Sequence, residues 1–186
     1  GTDISFDEFN VKVNNVEKSG QDITTIQAMN RVWDQEVNLA LLNDELEGLL
    51  KYFNDKGNLE MEKMFTAGKL NGETKEYYIN GNLSTIDHYK DDVLHGLSST
   101  YHINGGKNCE LNFTNGERDG VLTCFYPNGT KSSAVTYANG KLNGSYTTYN
   151  ELGDVTLSTT YKNDEINGKY FQYFDGKKIK AEADYT

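Results

Sequence analysis

The segment Tyr137-Ala138-Asn139-Gly140-Lys141-Leu142-Asn143-Gly144, with Tyr149 five residues beyond its last glycine, is one copy of a pattern that recurs through most of the chain. Its last glycine belongs to a series with a constant spacing of 24 residues. The members of this glycine ladder are Gly48, Gly72, Gly96, Gly120, Gly144 and Gly168. A constant spacing of this length is typical of a repeat architecture.

Two columns of aromatic residues keep step with the glycine ladder. The first aromatic column stands five residues after each ladder glycine and comprises Phe53, Tyr77, Tyr101, Phe125, Tyr149 and Tyr173. The second aromatic column stands seventeen residues after it and comprises Phe65, Tyr89, Phe113, Tyr137, Tyr161 and Tyr185. All twelve places are aromatic in a chain that is 12% aromatic, so composition alone does not explain them. We interpret the ladder glycines and the first aromatic column as structural residues.

The residues around these columns predict strands joined by tight turns. Asn80-Gly81, Asn128-Gly129 and Asn139-Gly140 are dipeptides that tolerate the positive φ of hairpin turns. Between the turns lie segments of about 5 to 8 residues, rich in Tyr, Thr, Val and Ile, as strands are. The sequence therefore predicts an all-β fold, an elongated antiparallel sheet of consecutive β-hairpins with a 24-residue period.

Packing follows from the same pattern. We expect the two aromatics of each repeat to stack on their counterparts in neighbouring repeats. We also expect each ladder glycine to lie where a strand begins close against another backbone, with no room for a side chain.

The pattern from Tyr137 to Tyr149 resembles the MORN repeat, whose unit has an aromatic, an Asn-Gly, a second glycine four residues on and another aromatic. Phe113–Gly120 and Phe65–Gly72 repeat it, and the resemblance covers roughly residues 41–186. The Tyr-x-Asn-Gly runs at Tyr78–Gly81 and Tyr126–Gly129 are closer to a bacterial variant of the family that is often labelled antitoxin-like. The resemblance implies a scaffold found beside many activities, and single repeats depart from it at Asp92, Asp164 and Arg118.

Residues 1–40 are expected to form N-terminal strands and a degenerate capping repeat, ahead of the repeat array at residues 41–186. Phe9, Val11 and Val13 alternate with polar residues, which indicates a strand, and residues 23–29 indicate another. Stepping the ladder back by one period puts Thr24 at the glycine place. Apolar spacing across residues 37–50 also fits a helix, but the match to the repeat favours strands.

Charge limits the classes of partner. The chain has 18 basic and 28 acidic residues, a formal net charge of −10. An acidic chain repels phosphate backbones and anionic lipid surfaces, so nucleic acid is not an expected partner. No stretch approaches the roughly 20 apolar residues of a membrane-spanning helix.

The start of the sequence bears on localisation. Gly1 stands where a methionine would open a complete chain, which is typical of a cloning scar. A leader or lipid anchor removed from the precursor would explain it, and so would an ordinary truncation. We expect an exported protein, periplasmic or on the cell surface, with a cytoplasmic protein as the alternative.

Two small sets of residues could carry chemistry. His88, His95 and His102 are seven residues apart, near Asp91 and Asp92, but the repeat puts them in different strands and turns, which favours exposed polar positions over a metal site. Cys109 and Cys124 would face each other if the hairpin were centred between Gly116 and Glu117, so a disulfide and two buried thiols both stay open.

Nothing in the sequence indicates a nucleophile motif, paired catalytic carboxylates or a cofactor loop, so we expect no catalysis and no cofactor. The function we expect is protein binding along an extended repeat surface, antitoxin-like if the resemblance holds. Carbohydrate or cell-wall binding through exposed tyrosines is the alternative. Because the aromatic columns are committed to packing, the predicted contact residues are the off-column tyrosines Tyr78, Tyr126 and Tyr146.

Overall fold

The computed structural model describes residues 3–6, 9–18, 21–30, 35–42, 45–54, 56–174 and 178–185, and it describes side chains from residue 45 onward. Throughout these residues the regular structure is β-strand, each strand antiparallel to the neighbours with which it pairs. The chain divides into two compact units, Gly1–Val93 and Leu94–Thr186. The all-β prediction and the succession of hairpins are confirmed.

The N-terminal unit is a meander of strands. They are β1 (Asp3–Phe6), β2 (Phe9–Lys18), β3 (Gln21–Asn30), β4 (Gln35–Leu42), β5 (Glu45–Leu46), β6 (Gly48–Phe53), β7 (Leu59–Thr66), β8 (Lys69–Tyr77) and β9 (Leu83–Lys90). The short strand β10 (Val93–Leu94) lies at the division between the units. The described parts of this segment, residues 37–42 and 45–50, therefore belong to β4, β5 and β6 and the residue between the last two, and the helical alternative is wrong.

The first hairpins already follow the repeat. Thr24 pairs with Leu41 as Gly48 pairs with Phe65 one period later. The match is partial, because β2 and β3 pair past Thr24 without the register shift of a full repeat, and the assignment of residues 1–40 to a capping unit stays a prediction.

The C-terminal unit continues the meander. Its strands are β11 (Gly96–Tyr101), β12 (Lys107–Thr114), β13 (Glu117–Phe125), β14 (Lys131–Ala138), β15 (Lys141–Tyr149), β16 (Val155–Lys162), β17 (Glu165–Ile166), β18 (Gly168–Tyr173) and β19 (Ile179–Tyr185). β17 and β18 both pair with β16 and together occupy one strand position.

Every ladder glycine whose strand register is described lies opposite the second-column aromatic of its own repeat. Gly120 pairs with Tyr137 and Gly144 with Tyr161, and the other repeats follow the same rule. A large ring opposite a glycine covers backbone that the glycine leaves bare, a device known to stabilise strand glycines.

A β-bulge next to the ladder glycine interrupts the preceding strand pair. Tyr137 pairs with Leu142 near the turn, but Val135 pairs with Tyr146 beyond it. Three residues of β15, with Gly144 in the middle, therefore face the single residue Thr136 of β14. Such bulges commonly require a residue with positive φ, and this requirement places the glycine.

The ladder positions require glycine, but not for the reason expected, since no nearby backbone excludes a side chain there. Gly48 and Gly120 have open space where a Cβ would lie, whereas at Gly144 a Cβ would come within 2.9 Å of the Thr136 Cβ, a side-chain atom. What the ladder glycines share is φ between +85° and +127°, a region that L-residues rarely adopt.

None of the ring contacts described for residues 45–185 stacks one column aromatic on another along the array, as had been expected. Strand register puts the second aromatic column on one face of the sheet, and the first column lies on the other, where Tyr173 contacts Ser158. The observed ring contacts join a column residue to an off-column ring, as Tyr161 to Tyr146. Each face thus has its own aromatic covering, because a single open sheet has no enclosed interior.

Backbone hydrogen bonds join successive repeats at the second turn of each repeat. The Gly140 N–H donates to the Arg118 carbonyl at 2.9 Å, and the Asp164 N–H donates to the Leu142 carbonyl at 3.0 Å. Asp164, at φ 72°, adds a bond of its own, since its Oδ1 accepts the Leu142 N–H at 2.7 Å. Asp92 makes the same two hydrogen bonds with Leu70. At these two turns the repeat thus has an aspartate, whose carboxylate adds a hydrogen bond, in place of the glycine that adopts positive φ more easily.

Cys109 and Cys124 form a disulfide between β12 and β13. Next to the turn, Thr114 pairs with Glu117, so the hairpin is not centred where a regular pairing of the cysteines requires. The register shift at the bulge makes up the difference and sets Cys109 opposite Cys124. The question that the sequence left open is thereby resolved by the bulge.

Candidate interaction surface

Tyr126, one of the three predicted contact residues, lies at the first turn of its repeat. It is half-buried, and its hydroxyl donates to the Tyr149 carbonyl of the next repeat at 2.7 Å. His102, at the same place one repeat earlier, puts its Nε2 2.9 Å from the Phe125 carbonyl. The residue at this place therefore joins one repeat to the next, a role that sequence reasoning missed.

Tyr78 occupies the same place as Tyr126, two repeats earlier, and is also half-buried. Its backbone N–H closes the turn on the Asn82 carbonyl at 2.8 Å, as that of Tyr126 does on Thr130. The two turns share the sequence Tyr-x-Asn-Gly and the same geometry.

Tyr146 lies in the middle of β15, away from the turns. It pairs with Val135 on one side and Thr159 on the other. Its ring lies 5.5 Å from that of Tyr161, with the two planes tilted by 54°. The same arrangement recurs one repeat later, where the rings of Tyr170 and Tyr185 are 6.4 Å apart at 72°.

These rings belong to one face of the sheet formed by β14 to β19, which we call the tyrosine face. Its members follow from the strand register, in which same-face residues pair across neighbouring strands. It contains a tyrosine on each of five successive strand positions: Tyr137, Tyr146, Tyr161, Tyr170 and Tyr185.

The regularly paired residues of the tyrosine face carry no charge. Between the tyrosines lie small, hydroxyl, amide or aliphatic side chains: Ser133, Val135, Leu142, Thr148, Leu157, Thr159, Ile166, Gln172, Ala181 and Ala183. The opposite face of the same strands is charged, with Lys169 3.9 Å from Glu182 and Lys141, Asp184 and Lys162 nearby along the strands. Two cations lie at the rims of this face: Lys180 lies over the ring of Phe174, and the Arg118 guanidinium of β13 lies 5.3 Å from the centre of the Tyr137 ring.

The tyrosine rings shield the centre of this face. Val135 is 5% exposed and Thr159 is 6% exposed, although the sheet is a single layer. Tyr185, on β19, is 43% exposed. The Thr159 hydroxyl has no hydrogen-bond partner among the described residues. The tyrosines therefore serve both as covering for the sheet and as its outermost contact atoms.

Charge is distributed unequally between the two units. Residues 1–93 contain 9 basic and 18 acidic side chains, a net charge of −9, whereas residues 94–186 contain 9 and 10, a net charge of −1. The two values add to the −10 of the whole chain. The electrostatic argument against anionic partners thus applies to the N-terminal unit and hardly to the unit that carries the tyrosine face.

A different kind of cluster lies on the first-column face of the N-terminal unit. The Glu62 carboxylate accepts the Tyr77 hydroxyl at 2.8 Å and is 2.9 Å from the Lys51 Nζ. Hydrogen bonding to Lys51 is the main cause that lowers the pKa of Glu62. Burial, reinforced by the bond to Glu62, raises the pKa of Tyr77 to about 12. A neutral phenol paired with a carboxylate held by lysine is a structural bridge between β6, β7 and β8.

The three histidines make separate local contacts. His88 lies 3.4 Å from Glu73, His95 accepts the Asn115 N–H at 3.3 Å, and His102 has the contact given above. In the part of the chain that the structure describes, no three His, Cys, Asp or Glu side chains are arranged to hold a metal ion. A search of the same residues found no helix of the length and apolarity that crossing a membrane requires.

Sequence reasoning identified Tyr146 but missed its neighbours on the tyrosine face. It assigned Tyr161 and Tyr185 to a shared core because they stand in a column, and it did not use Tyr170. The signal that could have found them is the position two residues after the ladder glycine, which is Tyr only at Tyr146 and Tyr170. Strand parity then puts both on the side of the second aromatic column.

The fold and this surface define a class, an open antiparallel sheet built from hairpin repeats with aromatic faces. Two segments, residues 70–91 and 118–139, match the family described as the MORN repeat variant. Both matched segments include a Tyr-x-Asn-Gly turn, Tyr78–Gly81 and Tyr126–Gly129. Repeats of this family are generally associated with binding and scaffold roles and are a non-enzymatic type. Comparison with curated proteins gave no match.

Proposed function

We propose that the chain is a non-catalytic scaffold that binds a protein partner through the tyrosine face of its C-terminal unit. The observation that supports this function is the distribution of charge, since, apart from Lys180 at the rim, the charged residues of β14 to β19 lie on the face of the first aromatic column and the regularly paired positions of the tyrosine face carry none. Tyrosine is enriched and charge is depleted at the centres of protein interfaces.

The three predicted contact residues do not contribute equally to binding in this proposal. Tyr146 is the central contact because it lies mid-strand among other rings. Tyr126 contributes from the turn before β14 through its ring, while its hydroxyl is held by the Tyr149 carbonyl. Tyr78 lies in the N-terminal unit, and its contact with a partner stays a separate prediction. The antitoxin-like role implied by the resemblance is one form of this function, in which the partner is a toxin.

Carbohydrate binding is the second candidate, and the ring geometry disfavours it. An extended glycan stacks its sugar rings on aromatic faces that lie roughly parallel to one another. Tyr146 and Tyr161 are tilted by 54°, and Tyr170 and Tyr185 by 72°, so neither pair offers such a platform. Tilted rings instead leave recesses that fit protein side chains.

We also infer that the protein works outside the cytoplasm. The disulfide between Cys109 and Cys124 supports this, because such bonds persist in oxidising compartments and are rare in reducing ones. Thiol labelling of the protein in its native cells tests it: modification of both cysteines without prior reduction would contradict export.

The experiment for the scaffold function is a matched pair of variants measured against a purified partner by calorimetry. Tyr146→Ala should weaken binding by about 1–2 kcal/mol, as interface aromatics do. Ser145→Ala, one residue away on the opposite face, should leave the affinity unchanged. Equal affinities for the two variants, or tight binding of a neutral polysaccharide that Tyr146→Ala abolishes, would contradict protein binding by this face.

A further inference from the structure

The neutrality of the tyrosine face restricts what can cover it. Apart from Arg118 and Lys180 at the rims, a charged group of the partner would lose its hydration on docking and find no ionic partner in return, which makes such a contact unfavourable. The occupant therefore has to present an uncharged surface of its own. The tyrosine face is itself a surface of this kind.

The relief of the face is self-complementary. Tyr170 and Tyr185 project beside positions with little or no side chain, Gly168, Ala181 and Ala183. In a two-fold arrangement the rings of one copy can lie over the small residues of the other, and every such contact occurs twice. Two antiparallel sheets packed in this way have the layering of a β-sandwich.

The size of the face is sufficient. Five strand positions at about 4.8 Å and seven residues at about 3.3 Å give a face of roughly 24 Å by 23 Å. Two copies in contact would then bury about 1,100 Å² in total, just above the roughly 1,000 Å² that a specific interface needs. Area alone does not set the affinity, so the dissociation constant has to be measured over a wide range of protein concentration.

Long-range repulsion does not oppose this contact strongly. The unit that bears the face has a net charge of −1, and within β18 and β19 the charged pair Lys169 and Glu182 lies on the opposite face. The acidic excess of the chain, −9, belongs to the other unit. A neutral contact also has no ionic component to be screened, so its strength should not fall with added salt.

From this geometry we infer that two copies of this chain associate through the tyrosine face, sheet against sheet. The inference rests on the proposed function in assigning contact to that face, and it names a second copy as the occupant. A different protein partner would then compete with self-association.

The test is sedimentation velocity of the whole chain at about 1 to 100 μM protein, at low and at roughly 0.5 M salt. The expected result is a reversible monomer–dimer equilibrium that does not weaken with salt. Gln172→Glu, nearly isosteric, and Ala181→Glu at an exposed position each add one carboxylate to the tyrosine face. Each should raise the dissociation constant about tenfold or more, because like charges would be buried together.

Ser145→Glu is the matched control, since it adds the same charge to the opposite, exposed face and should change the dissociation constant less than about twofold. A chain that is monomeric at the highest concentration overturns the inference, and so does a dimer that all three variants weaken equally or not at all. A monomeric chain would leave the proposed binding of a different protein partner intact, because calorimetry with Tyr146→Ala tests that separately.

Discussion

At the scale of single residues, the ladder glycines show how one sequence pattern can have more than one physical cause. The 24-residue spacing predicts a structural role, which follows equally from lack of space or from backbone conformation. The positive φ is common to all of the ladder glycines, whereas crowding is confined to some of them, as at Gly144 beside Thr136. Sequence alone does not separate the two causes because glycine satisfies both.

Substitutions at Gly120 and Gly144 separate them. Gly120→Ala should cost about 1–2 kcal/mol, the strain of an L-residue in this region. Gly144→Ala should cost roughly 1–3 kcal/mol more, because its Cβ would overlap Thr136. Urea denaturation measures both, and in a Thr136→Gly background, which lacks the contacted Cβ, Gly144→Ala should cost no more than Gly120→Ala does in the parent. Equal losses at the two glycines, or no loss at Gly120, would contradict this account.

The pair formed by Tyr77 and Glu62 gives a pH dependence. The folded pKa of Tyr77 is raised to about 12 from 10.0, so the folded state favours the neutral phenol. The resulting stability is complete below pH 10 and is lost as the pH rises toward 12. Absorbance titration of tyrosinate should show a late component that Tyr77→Phe removes and that Glu62→Gln moves to lower pH.

Glu62 acts at the other end of the pH range. The folded pKa of Glu62 is lowered from 4.5, so its contribution to stability is complete above that value and is lost as the pH falls below it.

At the alkaline end, Tyr77→Phe should flatten the profile of stability against pH above pH 10, because the ionising phenol is then absent. An alkaline profile identical to that of the parent would show that the hydrogen bond does not control this ionisation.

At the scale of elements, hairpins were predictable and their bulges were not. Asn-Gly turns and the aromatic spacing predict where strands begin and end, because turn chemistry is local. The bulge beside a ladder glycine forms between two paired strands. The register beyond it therefore depends on both strands and is not predictable from the sequence of either one. The cysteines illustrate this, since Cys109 faces Cys124 only after the register has shifted.

The disulfide is therefore expected to hold the bulged hairpin of β12 and β13 together. It closes a loop with a sequence separation of 15, for which chain entropy predicts a stabilisation of about 3 kcal/mol. Reduction should lower the melting temperature of the parent protein. The variant with Cys109→Ser and Cys124→Ser should melt at the lower temperature with or without reductant. A parent whose melting does not respond to complete reduction would show that the bond contributes little.

At the scale of the molecule, the net charge of the whole chain is an average that describes neither of its two units. The net charge of −10 excludes anionic partners for an evenly charged protein, but it consists of −9 in one unit and −1 in the other. The candidate surface was only partly predictable for a related reason. Tyr146 stood out from the columns, whereas Tyr161 and Tyr185 were hidden in them, because a column does not reveal which face it occupies. Which side of an open sheet is neutral depends on strand parity across several hairpins, and bulges alter that parity locally.

The hydrogen bonds between successive second turns use backbone atoms, and this has a consequence for how the gene can change. A deletion of one full period, residues 144–167, joins Asn143 to Gly168 and leaves every remaining residue on its original face. A deletion of residues 144–166 moves all later side chains to the wrong face of the sheet. We expect the first variant to unfold cooperatively on heating and the second to lose the native packing of the strands that follow the deletion, as seen by near-ultraviolet circular dichroism. Similar melting of both variants would contradict it. The number of repeats could then change during evolution, because a single recombination event would add or remove a whole repeat and leave its neighbours unaltered.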